Sequence, residues 1–165
     1  MCNKNRNNME LLDIKSTIKV VNMGELSETE RVLVHHAIDS TAHSYAPYSH
    51  FKVGAAVYLE NGEIITGCNQ ENVSYPAGIC AERTAIYAAG AQYPTVPIVM
   101  IAIAARGTDG ELQKVPISPC GICRQVMVET ESRFHRPLHI LLYGKEKIYI
   151  IEGIKELMPL SFTDF

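Results

Sequence analysis

The first strong periodic signal in the chain opens with polar Ser27-Glu28-Thr29-Glu30. Ser followed by Glu three positions on is a capping box, in which each side chain satisfies an amide that a helix start leaves orphaned. Apolar Val34, Ala37, Ile38 and Ala42 then recur at helical spacing, which predicts a helix over residues 28–45 that Pro47 stops. Small and β-branched residues over 53–60, the turn pair Asn61-Gly62 and a return over 63–67 predict a β-hairpin. The Ala-rich stretch 80–91 predicts a helix, and the continuous apolar run 98–105 a strand buried on both faces. Residues 106–117 are polar and read as a loop or a second hairpin. A helix over 120–131, short strands over 138–143 and 148–151, and a last helix near 153–158 complete the series. Helices alternating with strands in this way predict an α/β fold. It is a three-layer α/β/α sandwich, with one mixed central sheet of about five strands and helices on both faces.

The start of the chain breaks from this pattern. Four of its first eight residues are Asn, with Lys4 and Arg6 among them. Such a stretch has little helix or strand preference. Residues 1–22 therefore read as a flexible N-terminal extension and 23–165 as a single domain, which 165 residues comfortably support. No apolar run approaches the roughly 20 residues that cross a bilayer. The N-terminus carries no apolar signal core, so neither membrane insertion nor secretion is expected. A formal net charge of -3 lacks the broad basic footprint of a nucleic-acid binder. The five cysteines are an odd number in a chain long enough to build a core without staples, which points to a reducing, cytoplasmic setting.

That setting leaves the cysteines for metal binding or chemistry. Cys120 and Cys123 stand in Pro119-Cys120-Gly121-Ile122-Cys123, at i and i+3 of a predicted helix start, so both sulfurs can face one ion. Alone, this C-x-x-C is either half of a zinc site, the favoured reading, or a redox dithiol. Cys80 opens another predicted helix, and helix N-termini favour thiolates. Three thiolates would leave one open corner on a tetrahedral zinc ion, as catalytic sites do. A closed structural site needs a fourth ligand, and the spare cysteines are Cys68, at a strand end, and Cys2, in the Asn-rich start. Glu82, two residues past Cys80, can reach the open corner and move protons there. Taken alone it reads as a helix-start acid that the dipole stabilises, but beside three thiolates the proton-moving role is favoured. Three thiolates and a zinc dication sum to about -1, an excess that would weaken zinc as a Lewis acid. Arg83, ahead of Arg124, is the candidate donor to the sulfurs. None of the six histidines has good ligand placement.

Cys80-Ala81-Glu82-Arg83-Thr84 followed by Pro119-Cys120-Gly121-Ile122-Cys123-Arg124-Gln125 resembles the cytidine deaminase family. Zinc deaminases carry H-x-E with P-C-x-x-C, and Cys80 stands here in place of the His. That departure resembles the all-cysteine type found in small homotetrameric nucleoside deaminases, and the likeness runs from about Ser27 to Phe165. The resemblance implies one zinc per chain on Cys80, Cys120 and Cys123. Hydroxide formed on the ion would attack C4 of cytidine or 2'-deoxycytidine, with Glu82 shuttling protons and ammonia leaving. Tyr45-Ala46-Pro47-Tyr48-Ser49-His50-Phe51 resembles the family segment that ends in a base-contacting Phe, here Phe51. Asn69-Gln70-Glu71 resembles its ribose clamp, and residues at i and i+2 of an extended chain project the same way. The resemblance further implies that the Ala81 amide fixes the base edge. It implies too that Phe162 closes a neighbouring subunit's site, with Tyr48 and Tyr75 near subunit contacts. A deaminase of this fold acting on another aminopyrimidine nucleoside, such as blasticidin S, would not need Asn69, Glu71 and Phe51 together. A structural zinc module is the alternative from outside enzymology, and it lacks a good fourth ligand.

Overall fold

The computed structural model describes residues 10–163. Cys2, the other residues of 1–9 and residues 164–165 lie outside the described residues, and so does the Asn-rich stretch. The elements are β1 (Lys19–Val21), α1 (Glu28–Ser40), β2 (Lys52–Leu59), β3 (Ile64–Cys68), α2 (Ala81–Gln92), β4 (Ile98–Arg106), α3 (Gly121–Phe134), β5 (His139–Tyr143) and β6 (Ile148–Glu152). They form one six-stranded sheet in the order β1-β6-β5-β4-β2-β3. The β4–β5 pair is parallel and the other pairs are antiparallel. The sheet is mixed, as the sequence predicts. No helix among the described residues is long and apolar enough to cross a membrane.

Strand alternation decides the layers. Ala55, Val57 and Leu59 of β2, Ile101 and Ile103 of β4, Ile140 and Leu142 of β5 and Ile151 of β6 face α2 and α3. Ala56 of β2, Ala102 and Ala104 of β4, Leu141 of β5 and Ile148 and Ile150 of β6 face α1 through Leu33, Val34 and Ala37. The β2 and β4 contributions to the α1 side are small because the helix lies close to the sheet there. A Cβ on Gly54 would sit 2.1 Å from the Ala37 carbonyl oxygen and 2.7 Å from the Thr41 nitrogen. Ile101, Ile103, Ile140 and Leu142 are at most 1% exposed, and each such side chain contributes about 1.5–3 kcal/mol by leaving water.

The capping box forms as the pattern predicts. The Glu30 amide donates to Ser27 Oγ at 3.3 Å, and the Ser27 amide donates to Glu30 Oε2 at 2.7 Å. α1 ends at Ser40 and passes into a 3-10 turn over Thr41–His43 before Pro47 is reached. The Asn61-Gly62 hairpin is a three-residue loop. The Gly62 amide closes on the Leu59 carbonyl at 2.9 Å, with Gly62 at φ 90°, a left-handed value that glycine adopts freely.

Two elements differ from the sequence reading. Pairing begins at Lys19, ahead of Met23, because β1 registers Lys19 opposite Ile150 of β6 and adds a sixth strand. A three-residue edge strand defined only by that distant partner leaves no local periodicity to read. The helix expected near 153–158 is a single 3-10 turn, Ile154–Glu156, which is too short to show a helical repeat. The 106–117 stretch folds as a small bridged turn, with the Gly107 amide on the Glu111 carbonyl at 2.9 Å and Leu112 opposite Arg106.

Candidate active site

Two helix starts converge at the carboxyl side of the sheet. Cys80 is the N-cap of α2 and Cys120 the N-cap of α3. Both have extended backbones, and neither side chain is spent on a cap hydrogen bond. The position of α2 depends on Gly67 in β3. A Cβ there would stand 2.5 Å from the Ala85 nitrogen and 2.7 Å from the Ala81 carbonyl oxygen. Glycine in a strand thus allows the first turn of α2 to rest on the hairpin. Thr84 Oγ1 completes the seat by donating to the Cys68 carbonyl at 3.2 Å.

Cys80 Sγ lies 3.8 Å from Cys120 Sγ, which lies 3.4 Å from Cys123 Sγ, and all three sulfurs fall within 4.8 Å of one another. Sulfur ligands of a tetrahedral zinc ion, at about 2.3 Å from the metal, stand about 3.8 Å apart. The trio therefore has the chemistry and the spread of a zinc ligand set. Among the described residues no other group of His, Cys, Asp and Glu is gathered in this way. Cys68 is apart from it, its sulfur accepting from Gln70 Nε2 at 3.2 Å.

The electrostatics fit a cation. Cys123 is fully buried and Cys120 exposed. Hydrogen bonding from Cys123, with Arg83 and Cys120 adding, holds the Cys80 thiol down to about 5. The shared hydrogen bond with Cys80 and burial push the Cys123 thiol up. Arg83 Nη2 donates to Cys80 Sγ at 3.9 Å, and its buried Nε has no hydrogen-bond partner among the described residues. Arg124 does other work. Its Nε and Nη1 hold the carbonyls of Pro119 at 2.9 Å and Leu157 at 2.7 Å, which fixes the α3 start to the C-terminal segment. Glu82, in the first turn of α2, is 4% exposed. Burial raises its carboxyl above the ordinary range, and the neighbouring Cys80 thiolate raises it further. A carboxyl tuned upward beside an ion site suits proton transfer near neutral pH.

A cavity of about 520 Å³ opens beside the sulfurs, with Tyr48, Ser49, Asn69, Glu71, Cys80 and Arg83 in its wall. Asn69 and Glu71 therefore share one space with Cys80, the member of the thiol cluster in that wall. The Asn69 amide group is already engaged, accepting from the Val53 amide at 2.8 Å and donating to the Phe51 carbonyl at 2.9 Å. Each of these bonds leaves one further hydrogen-bonding position on the group. Phe51 is half-buried at the entry to β2 and lies outside the cavity wall. Ala81 is fully buried at the first position of α2. Phe162 is 65% exposed, its carbonyl accepting from Gln125 Nε2 at 2.8 Å, and it too lies outside that wall. Ser49 and Gly67 were not anticipated. A glycine inside a strand pattern was the available signal for the second.

A family profile described as the cytidine and deoxycytidylate deaminase zinc-binding region matches residues 27–135. The cytidine deaminase of Halalkalibacterium halodurans is 36% identical over 141 residues, which span 81% of this chain and 93% of that protein. Among solved structures, cytidine deaminase from Burkholderia pseudomallei superposes with a TM-score of 0.70 at 34% identity, covering 83% of this chain and 100% of that one. Cytidine deaminase from Mycobacterium tuberculosis gives 0.63 at 31% identity, covering 81% of this chain and 96% of that one. With the profile spanning the capping box, both cysteine motifs and Glu82, the chain belongs to the cytidine and deoxycytidylate deaminase family.

Proposed function

We propose that this chain hydrolyses cytidine and 2'-deoxycytidine to uridine and 2'-deoxyuridine, releasing ammonia. The observation that carries the reading is the convergence of Cys80, Cys120 and Cys123 at two facing helix starts, with buried Glu82 beside them. Zinc is the cofactor, one ion per chain, and those three cysteines would hold it. When bound, it supplies the Lewis acidity that makes a water nucleophilic near neutral pH. Glu82 takes a proton from the attacking water and delivers it to N3 of the base. Once the water oxygen is bonded to C4, Glu82 takes the second proton from that oxygen and gives it to the amino group, and the C4–N4 bond breaks as C4=O forms and ammonia leaves. Arg83 offsets the excess negative charge of the sulfurs. The Ala81 amide, at the first position of α2 and so free of helical pairing, fixes the base edge, and Phe51 packs against the base. Asn69 and Glu71 grip the sugar from the cavity wall.

We further infer an all-cysteine, homotetrameric enzyme of the cytoplasm in which Phe162 closes a neighbouring subunit's site. The exposure of Phe162, Tyr48 and Tyr75 supports that assembly. Residues 23–165 make up its single domain, and β1 of the preceding 1–22 stretch adds a strand to the edge of that domain's sheet.

The test is loss of cytidine ultraviolet absorbance with matching ammonia release by purified protein, repeated after zinc chelation and zinc return. Turnover should vanish with the chelator and recover with the metal. Deamination that survives complete metal removal, or an ion bound without any turnover of cytidine or deoxycytidine, would overturn the reading. In the latter case other aminopyrimidine nucleosides are next.

A further inference from the structure

Glu71 is held by three protein donors. Its Oε2 accepts the amides of Tyr48 at 2.9 Å and Ser49 at 3.2 Å, and its Oε1 accepts the Ser49 hydroxyl. An ionised carboxylate offers about four acceptor positions, so about one remains for a ligand in the cavity. Two of the donors are backbone amides. Ser49 supplies the one side-chain donor, and its hydroxyl also accepts the Phe51 amide at 3.0 Å. A hydroxyl has a single proton, and with the Phe51 N–H directed at its oxygen, that proton is committed to Glu71. The intervening residue makes this loop possible. His50 adopts φ 55° and closes the turn by donating its amide to the Ala46 carbonyl at 3.0 Å. The Ser49 hydroxyl, followed by the Tyr48 and Ser49 amides and then the nearby His50, also holds the Glu71 carboxyl below its ordinary range.

We propose that Ser49 is a positioning residue for recognition of the substrate's sugar. Its hydroxyl fixes which Glu71 lone pair faces the cavity and ties that carboxylate to the backbone carrying Phe51. Ser49 thereby couples the sugar contact to the base contact while touching neither reacting atom. The proposal rests on reading this cavity as a nucleoside site. It adds that the site's sugar grip depends on one hydroxyl in the preceding loop.

The experiment compares wild type, S49A, S49T, E71A and the S49A/E71A double variant in steady-state kinetics on cytidine. Zinc content and melting temperature are measured alongside. S49A should raise KM about tenfold with kcat nearly unchanged, the scale of one charge-assisted hydrogen bond. S49T should restore KM. The double variant should be no worse than E71A alone, because Ser49 acts through Glu71. The Glu71 carboxyl, followed by NMR titration, should move up in S49A and not in S49T. Where S49A melts early, S49C, which keeps the volume with a much weaker donor, carries the same comparison. An S49A penalty that falls on kcat alone, that multiplies in full with E71A, or that leaves the Glu71 titration unmoved overturns the proposal. A wild type that does not convert cytidine overturns the nucleoside reading as well. An active wild type with an unaffected S49A overturns this proposal alone.

Discussion

Glu82 and Cys123 have almost no contact with solvent, and that burial suits the proton carrier and the ligand proposed for them. Replacing Glu82 with Gln keeps the volume and removes the titrating group. Turnover should fall about 10²- to 10⁴-fold, the usual weight of general acid-base catalysis, with zinc and melting temperature retained. Near-normal ammonia release from that variant would remove Glu82 from the mechanism. These residues were legible because short-range spacing carries their geometry. Cys120 and Cys123 share a helix face at i and i+3, and Glu82 follows the Cys80 cap by two residues, in the first turn of α2. The division of labour between Arg83 on sulfur and Arg124 on the Pro119 and Leu157 carbonyls needed the fold, because Leu157 is far away in the chain. The Asn69 amide was half legible. Its direction follows from strand alternation, but its bonds to Phe51 and Val53 depend on the register of β2 against β3.

At the level of elements, the hairpin of β2 and β3 and the two helices that begin at cysteines do most of the positioning. Their sequence signals were strong because turn glycine, alternation and Ala-rich composition are all local. β1 and the Ile154–Glu156 turn were not legible, since each is three residues long and held by contacts from elsewhere. Gly67 shows how the hairpin serves the site. Ala at this position would press a methyl into the backbone of Ala81 and Ala85, where nothing flexible can yield. Gly67→Ala should destabilise the protein by about 1–3 kcal/mol, as overpacking does, and loosen zinc by moving Cys80. Thermal unfolding with metal analysis checks it. A variant with unchanged melting temperature and full zinc would show that α2 does not depend on this close approach.

Across the whole molecule, α1 covers one face of the sheet and α2 and α3 the other, the layering expected from alternating helices and strands. A polar chain stitches α1 to the sheet edge. His139 Nε2 meets Glu30 Oε1 at 2.7 Å, His139 Nδ1 meets Glu152 Oε2 at 3.0 Å, and Lys19 Nζ reaches Glu152 Oε1 at 3.3 Å. The His139 hydrogen bond, with Lys19 adding, holds the Glu152 carboxyl below its ordinary range. Burial works against Glu30, but the Ser27 hydroxyl and amide and then His139 bring it below that range too. Depressed carboxyls contribute stability that is present above their unfolded pKa and lost as pH falls through the folded one. The melting temperature should therefore drop as the pH is lowered from about 5 toward about 3, with His139→Ala flattening the slope. A slope that His139→Ala leaves unchanged would remove this cluster as its source. The contribution of Glu152 is modest, because more than half of its side chain is in water. The β1–β6 pairing, Lys19 against Ile150, bears on synthesis. A ribosome releases β1 before any other strand described here and β6 after all of them. On a nascent chain that margin of the sheet stays unzipped until β6 has emerged, and its exposed backbone must wait for a partner that has not yet been made.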